Sequence, residues 1–79
     1  MVNQVILVGK TKNLNKHEKG VEFVLEVNDT LIPVKANEGI GKTFLEAFKE
    51  GMTVGVKGEI QQSNGNLTVN CQKITYVNA

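Results

Sequence analysis

A β-hairpin is predicted by residues 53–76, TVGVKGEIQQSNGNLTVNCQKITY. Val54, Val56 and Ile60 alternate with polar side chains, which is the period of a strand with one buried face. Asn64-Gly65 is a strong signal for a two-residue hairpin turn, because both residues tolerate a left-handed backbone. These residues therefore predict two antiparallel strands joined by a tight turn.

The apolar alternation of the last strand changes phase along its length. Val69 and Cys71 occupy odd positions, whereas Ile74 and Tyr76 occupy even ones. An extra residue in one strand shifts the alternation in this way, so a β-bulge or local twist is predicted between the two pairs.

Three further strands are predicted upstream of the hairpin. The run Val5–Val8 is apolar at every position and predicts a strand buried on both faces, whereas the polar residues 10–19 predict a loop. Apolar and polar residues alternate with period two over residues 20–27, which predicts the second strand. Asn28-Asp29 is typical of a tight turn, because both residues tolerate left-handed backbone angles. Residues 31–37 form the third strand, which Pro33 marks as an edge or a bulge because proline cannot donate to a ladder.

One helix is predicted between the third and fourth strands. Apolar side chains recur at helical spacing within residues 39–50, with Phe44 and Phe48 on the inferred core face, and Gly51 follows as a left-handed cap. Five strands with one helix between strands 3 and 4 is the order of the OB-fold, an all-β, partly open Greek-key barrel. The chain is predicted to form one such domain over residues 1–79.

Composition is that of an ordinary small globular domain. The 79 residues carry a net charge of +1, with 41% hydrophobic and 22% charged side chains. All nine basic residues are lysines, which bind phosphate as mobile point charges and favour contacts that are indifferent to base sequence. A single cysteine, no long apolar run and no signal-peptide pattern lead us to expect a cytoplasmic location.

No set of residues predicts catalysis. Residues 36–43, ANEGIGKT, nearly match a phosphate-binding loop, but Ala36 replaces the first glycine and no later strand ends in an aspartate that could hold magnesium. His17 stands alone in a polar segment, and Cys71 on an apolar face is expected to be a small core residue. We therefore expect a protein that is not an enzyme and that uses no metal or other cofactor.

Three stretches resemble the bacterial single-stranded DNA-binding protein family. The opening residues 2–10, VNQVILVGK, match the start of that family, and residues 20–27 and 45–60 are similar to its second strand and to its helix end and fourth strand. The resemblance implies binding of single-stranded DNA, assembly through the first strand into dimers or tetramers, and a role in replication, recombination or repair.

The chain also departs from that family. Its long hairpin between strands 2 and 3 is reduced to about residues 28–30, and Leu31 and Asn37 stand where the family carries stacking aromatic residues. There is no tryptophan, and the family's acidic tail has no counterpart up to Ala79. A specialised relative with modest affinity is therefore expected, since each stacked base contributes roughly 1–3 kcal/mol.

Two sets of site residues are predicted, and two other functions stay open. Nucleic acid is expected to contact six residues: Lys10, Lys12, Lys35, Asn37, Lys57 and Tyr76. A homodimer or homotetramer is expected to form through Asn3, Val5 and Leu7 of the first strand. The preferred partner is single-stranded DNA; the alternatives are an RNA-binding OB domain and a protein-interaction module of a replication complex.

Overall fold

The computed structural model describes residues 1–17, 20–37 and 49–77. The strands are β1 (Val5–His17), β2 (Gly20–Val27), β3 (Thr30–Asn37), β4 (Thr53–Ser63) and β5 (Asn66–Tyr76). They close into a barrel in the order β1-β2-β3-β5-β4, and every pair is antiparallel except β3 with β5. The predicted OB-fold barrel is confirmed. The predicted helix lies outside the described residues, apart from Lys49 and Glu50, which are not helical.

β1 is longer than predicted because it belongs to two sheets. Its first part, Val5 to Lys10, pairs with β4, and its second part, Lys10 to His17, pairs with β2. The prediction of a loop over residues 10–19 is therefore wrong as far as His17. Polar residues continue the strand here because, among residues 10–16, only Thr11 and Leu14 are covered. The register shifts near Asn13, where φ is 51°.

Both predicted turns and the predicted bulge are confirmed. Asn28-Asp29 has φ values of 49° and 62°, and Asn64-Gly65 has values of 52° and 81°, as tight hairpin turns require. In the β4–β5 ladder, Lys57 lies opposite Lys73 and Gly58 lies opposite Cys71, so Gln72 is the extra residue of β5. This bulge turns Ile74 toward the core.

The core consists of apolar side chains from β2, β3, β4 and β5. Its buried members are Val21, Phe23, Leu25, Val34, Ala36, Val54, Val56, Val69, Cys71 and Ile74. The Cys71 thiol donates a hydrogen bond to the Lys73 carbonyl at 3.2 Å, and burial raises its pKa to about 11. The thiol therefore stays protonated at neutral pH, which fits the core role predicted for it.

β1 contributes only one of its two apolar faces to this core. Val5 and Leu7 pack against it, whereas Ile6 is 73% exposed and Val8 is 52% exposed. The expectation that this strand is buried on both faces is therefore not met within a single chain, because one barrel covers only its inner side.

Candidate nucleic-acid interface

The outer face of the sheet formed by β1, β2 and β3 carries alternating acidic, apolar and basic side chains. In the β2–β3 ladder, Glu22 lies opposite Lys35 and Val24 lies opposite Pro33. Pro33 precedes the β3–β5 pairing, which begins at Val34, so this part of β3 pairs on one side only. The predicted edge position of Pro33 is thus confirmed, and the missing proline donor disrupts no second ladder.

A cleft of about 510 Å³ crosses this face. Its floor is formed by β2 and β3, and its sides come from the bulge in β1 and from the β4–β5 turn with the start of β5. The lining residues are Asn13, Asn15, Glu22, Phe23, Val24, Pro33, Val34, Lys35, Asn64, Asn66, Leu67 and Thr68. Of these, Phe23 is only 3% exposed, so its ring is part of the core rather than a stacking surface.

The predicted lysines of β1 lie beside this cleft. Lys10 and Lys12 line a smaller depression of about 400 Å³, and Asn13 borders both hollows. The Lys12 ammonium forms an exposed salt bridge with Glu26 at 2.9 Å. Such a pair is worth less than about 1 kcal/mol, so it leaves Lys12 able to exchange its partner for a phosphate.

Hydrogen bonds hold residues 49–52 against this part of β1. The Thr11 hydroxyl donates to the Lys49 carbonyl at 2.8 Å, and the Leu14 amide donates to the Glu50 carboxylate at 2.8 Å. The Thr11 backbone amide also donates to the Met52 carbonyl at 2.9 Å, and the Gly51 amide donates to the Thr11 carbonyl at 2.8 Å. Glu50 is therefore tied to the backbone of β1, and the depression has a fixed wall.

A second, mainly apolar cleft of about 380 Å³ shares Pro33, Leu67 and Thr68 with the first. The Thr68 hydroxyl donates to the Pro33 carbonyl at 3.1 Å and so fixes this shared ridge. Leu31, Ile60 and Leu67 are 59%, 43% and 67% exposed around it. The alternation of β4 predicts an inward position for Ile60, but Ile60 lies at the rim of this cleft instead.

Two residues predicted to join the binding surface lie elsewhere. Lys57 is on β4 opposite Ile6 and Lys73, because β5 separates β4 from β3 in the barrel. Tyr76 is 37% exposed, lies opposite the buried Val54 and does not line the cleft. The alternation of apolar and polar residues shows which side chains of a strand face outward but not which sheet that outward face joins, so the sequence alone does not separate these two residues from Lys35.

The remaining predicted residues have separate positions. Asn37 lies opposite Gly20 at the end of the β2–β3 ladder. The Asn3 side chain donates to the Ile60 carbonyl and accepts from the Ile60 amide, both at 2.9 Å, so its amide is used within the chain. Val5 and Leu7 point toward the core, and the outward side chains of β1 are Ile6 and Val8.

Among residues 1–17, 20–37 and 49–77, no three histidine, cysteine, aspartate or glutamate side chains cluster as metal ligands do. The same described ranges contain no helix that is long and apolar enough to span a bilayer.

The cleft residues that sequence reasoning missed are mainly asparagines. Asn13, Asn15, Asn64 and Asn66 stand on its two sides. Asn64 had been interpreted only as a turn residue, and Asn13 and Asn15 only as part of a polar loop. The sequence does show asparagine repeated within residues 13–15 and within residues 64–66. This repetition indicates a common site only when the two segments are known to flank the same β2–β3 floor.

The fold and this cleft together define an OB-fold nucleic-acid-binding domain. A family model described as an OB-fold nucleic acid binding domain, the tRNA anticodon type, matches residues 5–77. The chain belongs to this family. No curated protein matches the sequence.

Solved structures with the same fold come from several kinds of protein. The dimeric N-terminal domain of PriB from Thermoanaerobacter tencongensis is 28% identical, with a TM-score of 0.77 and 98% coverage of both chains. A chain of the Replication Protein A heterotrimer bound to single-stranded DNA is 14% identical, with a TM-score of 0.81; the match covers 99% of this chain but only 60% of that one. Asparaginyl-tRNA synthetase from Pyrococcus horikoshii is 18% identical, with a TM-score of 0.79, over 96% of this chain and 19% of the enzyme.

Proposed function

We propose that this protein binds single-stranded DNA in the cleft across β2 and β3 and acts in replication, recombination or repair without enzymatic activity. The observation that carries the proposal is the cleft itself, an open trough with the aliphatic side chains of Val24 and Pro33 in its floor, amides at its sides, Lys35 within it and Lys10 and Lys12 beside it. Single-strand binders combine these features, since bases need apolar surface and phosphates need positive charge. The resemblance to the bacterial single-stranded DNA-binding family supports this proposal, and so does the shared fold of a Replication Protein A chain whose heterotrimer is bound to single-stranded DNA. The PriB domain is similar to this chain over 98% of both chains.

RNA is the second candidate ligand. It is favoured by the family model, whose name refers to tRNA anticodons, and by the asparaginyl-tRNA synthetase structure. Among the described cleft residues, no side chain distinguishes a ribose from a deoxyribose by its chemistry alone, because asparagine and lysine contact either backbone. The two ligands are therefore compared in the same experiment.

The test is a salt titration of binding, followed by fluorescence anisotropy with labelled oligo-dT and oligo-rU of equal length. Each phosphate contact on a single strand adds about −0.7 to the slope of log affinity against log salt. The variant K10A/K12A removes the two lysines of the depression beside the cleft and should flatten the slope by about 1.4. Tighter binding of the DNA strand than of the RNA strand supports the DNA assignment, and the reverse order transfers the proposal to RNA.

The matched control is K57A/K73A. Lys57 and Lys73 lie opposite each other on β4 and β5, away from the cleft, and their removal changes the net charge by the same amount. This variant should retain most of the salt dependence of binding. If the unaltered protein binds neither strand at low ionic strength, the proposal of single-strand binding is wrong. The hypothesis of a protein-interaction module then replaces it.

A further inference from the structure

The four asparagines of the cleft come from two places in the chain that face each other across its floor. Asn13 and Asn15 belong to the bulge of β1, and Asn64 and Asn66 flank the β4–β5 turn. Asn15 donates to the Asn13 carbonyl at a long 3.4 Å. Within the described part of the chain, the side-chain amides of Asn13, Asn64 and Asn66 form no hydrogen bond, so they are available to a ligand.

The floor between these amides is largely aliphatic. Val24 and Pro33 lie opposite each other on β2 and β3, and Leu67 projects beside them with 67% of its surface exposed. Flat aromatic rings pack on such surfaces, as flipped bases do between apolar side chains. A ligand that covers this floor therefore has an apolar face.

Positive charge is scarce inside the cleft. Among its described lining residues Lys35 is the one cation, and it lies directly opposite the carboxylate-bearing Glu22. Phosphate is therefore held better outside, where Lys10 and Lys12 line the adjoining depression. The interior suits an uncharged ring with donors and acceptors at its edge, which is the chemistry of a nucleobase.

We propose that Asn13, Asn15, Asn64 and Asn66 read the edges of unpaired bases, so that this protein discriminates among bases in a single strand. The proposal rests on single-strand binding by this cleft and departs from the sequence-tolerant binding that an all-lysine charge set predicts. An asparagine amide offers one donor group and one acceptor side by side, which matches base edges bidentately. Each such pair changes the affinity for the wrong base by about tenfold.

The test must remove the side-chain amides without changing the backbone conformation at those positions. Asn13 and Asn64 have φ values of 51° and 52°, which glycine adopts without strain, so N13G/N64G deletes two amides and keeps both turns. Asn28 supplies the matched control, because it has a φ of 49° and lies in the β2–β3 turn outside the cleft. Melting temperatures of all three proteins verify that each variant is folded.

Affinities for labelled oligo-dA, oligo-dC and oligo-dT of one length are measured at several salt concentrations. We expect unequal affinities in the unaltered protein and a fall in the ratio of strongest to weakest by about tenfold or more in N13G/N64G, with the salt slope unchanged. N28G should keep the ratio. If the unaltered protein and N13G/N64G have the same ratio of strongest to weakest affinity, the inference about base discrimination is overturned while single-strand binding stands. The same follows if the ratio falls as much in N28G as in N13G/N64G. Absence of any single-strand binding overturns both the inference and the proposed function.

Discussion

At Gly58 the barrel has no room for a side chain. A Cβ at this position would collide with the backbone carbonyl of Asn70 on β5. Gly58 lies opposite Cys71, directly beside the bulge at Gln72. Gly9 has a similar role on β1, because a Cβ there would collide with the carbonyl of Glu26 on β2. These glycines allow close approach of neighbouring strands rather than an unusual backbone angle.

The substitution Gly58→Ala should lower the free energy of unfolding by about 1–3 kcal/mol or more, since the overlap is with backbone atoms that cannot rotate away. Urea denaturation measures this change. Gly55→Ala on the same strand is the matched control, because its added Cβ would meet its nearest neighbours at 3.9 Å, an ordinary contact distance. Its effect should stay within about 0.5 kcal/mol. Equal effects of the two substitutions would show that the contact with Asn70 is not the cause.

At the scale of the strands, the sequence predicts a strand well where apolar and polar residues alternate strongly. Where this alternation is weak, the sequence underestimates the length of the strand. The β4–β5 hairpin and the bulge after Cys71 are both visible in the order of apolar residues. The second half of β1 is not, because its outward positions are polar and its inward positions include Thr11, which is 0% exposed. A buried threonine is indistinguishable from a loop threonine until its hydrogen bond to Lys49 is known.

The same reasoning explains which parts of the site could be predicted. The regular alternation of β3 predicts that Lys35 faces outward, and the structure places it opposite Glu22 on the β2–β3 face. The cleft amides could not be predicted, since their proximity depends on β5 lying beside β3, a non-consecutive and parallel pairing. Local periodicity carries no information about such a neighbour.

The N-terminal part of β1 offers an edge for a second copy of this chain. From Val5 to Gly9 the strand pairs with β4 only, because its pairing with β2 begins at Lys10. Ile6 and Val8 expose apolar surface on the same segment. An unpaired apolar edge of this kind is a template for pairing with another strand.

We therefore expect a homodimer that forms through this edge, with Ile6 and Val8 supplying the side-chain contacts in place of Val5 and Leu7. I6K/V8K should shift sedimentation velocity toward the monomer without unfolding the barrel, since both side chains are solvent-exposed in one chain. Leu31→Lys is the control, because Leu31 is 59% exposed but lies on β3. Sedimentation of the unaltered protein as a monomer at every accessible concentration would rule out this assembly.

At the scale of the whole molecule, the two sheets of the barrel present different surfaces. The sheet of β1, β2 and β3 carries the cleft, and the sheet of β1, β4 and β5 carries Ile6 and Val8 together with Lys57 and Lys73. β1 is common to both sheets because its first part pairs with β4 and its second part pairs with β2. Ligand binding and self-association are therefore expected to use separate surfaces of one small domain.

This separation predicts how affinity depends on strand length. A dimer holds two clefts, and a strand long enough to reach both binds the second as an intramolecular event, which raises affinity by about 10²–10⁴-fold without any new contact. The variant I6K/V8K should therefore lose affinity for a long oligo-dT while a strand that fills one cleft binds as before, because the altered residues lie outside the cleft. Anisotropy titrations with a series of lengths measure both effects. Leu31→Lys is the comparison, because Leu31 also lies outside the cleft but on β3, so this variant should leave both the assembly and the affinity for short and long strands unchanged. If I6K/V8K weakens short and long strands equally, the β1 face is itself part of the nucleic-acid surface, and the assignment of binding and assembly to separate sheets is wrong.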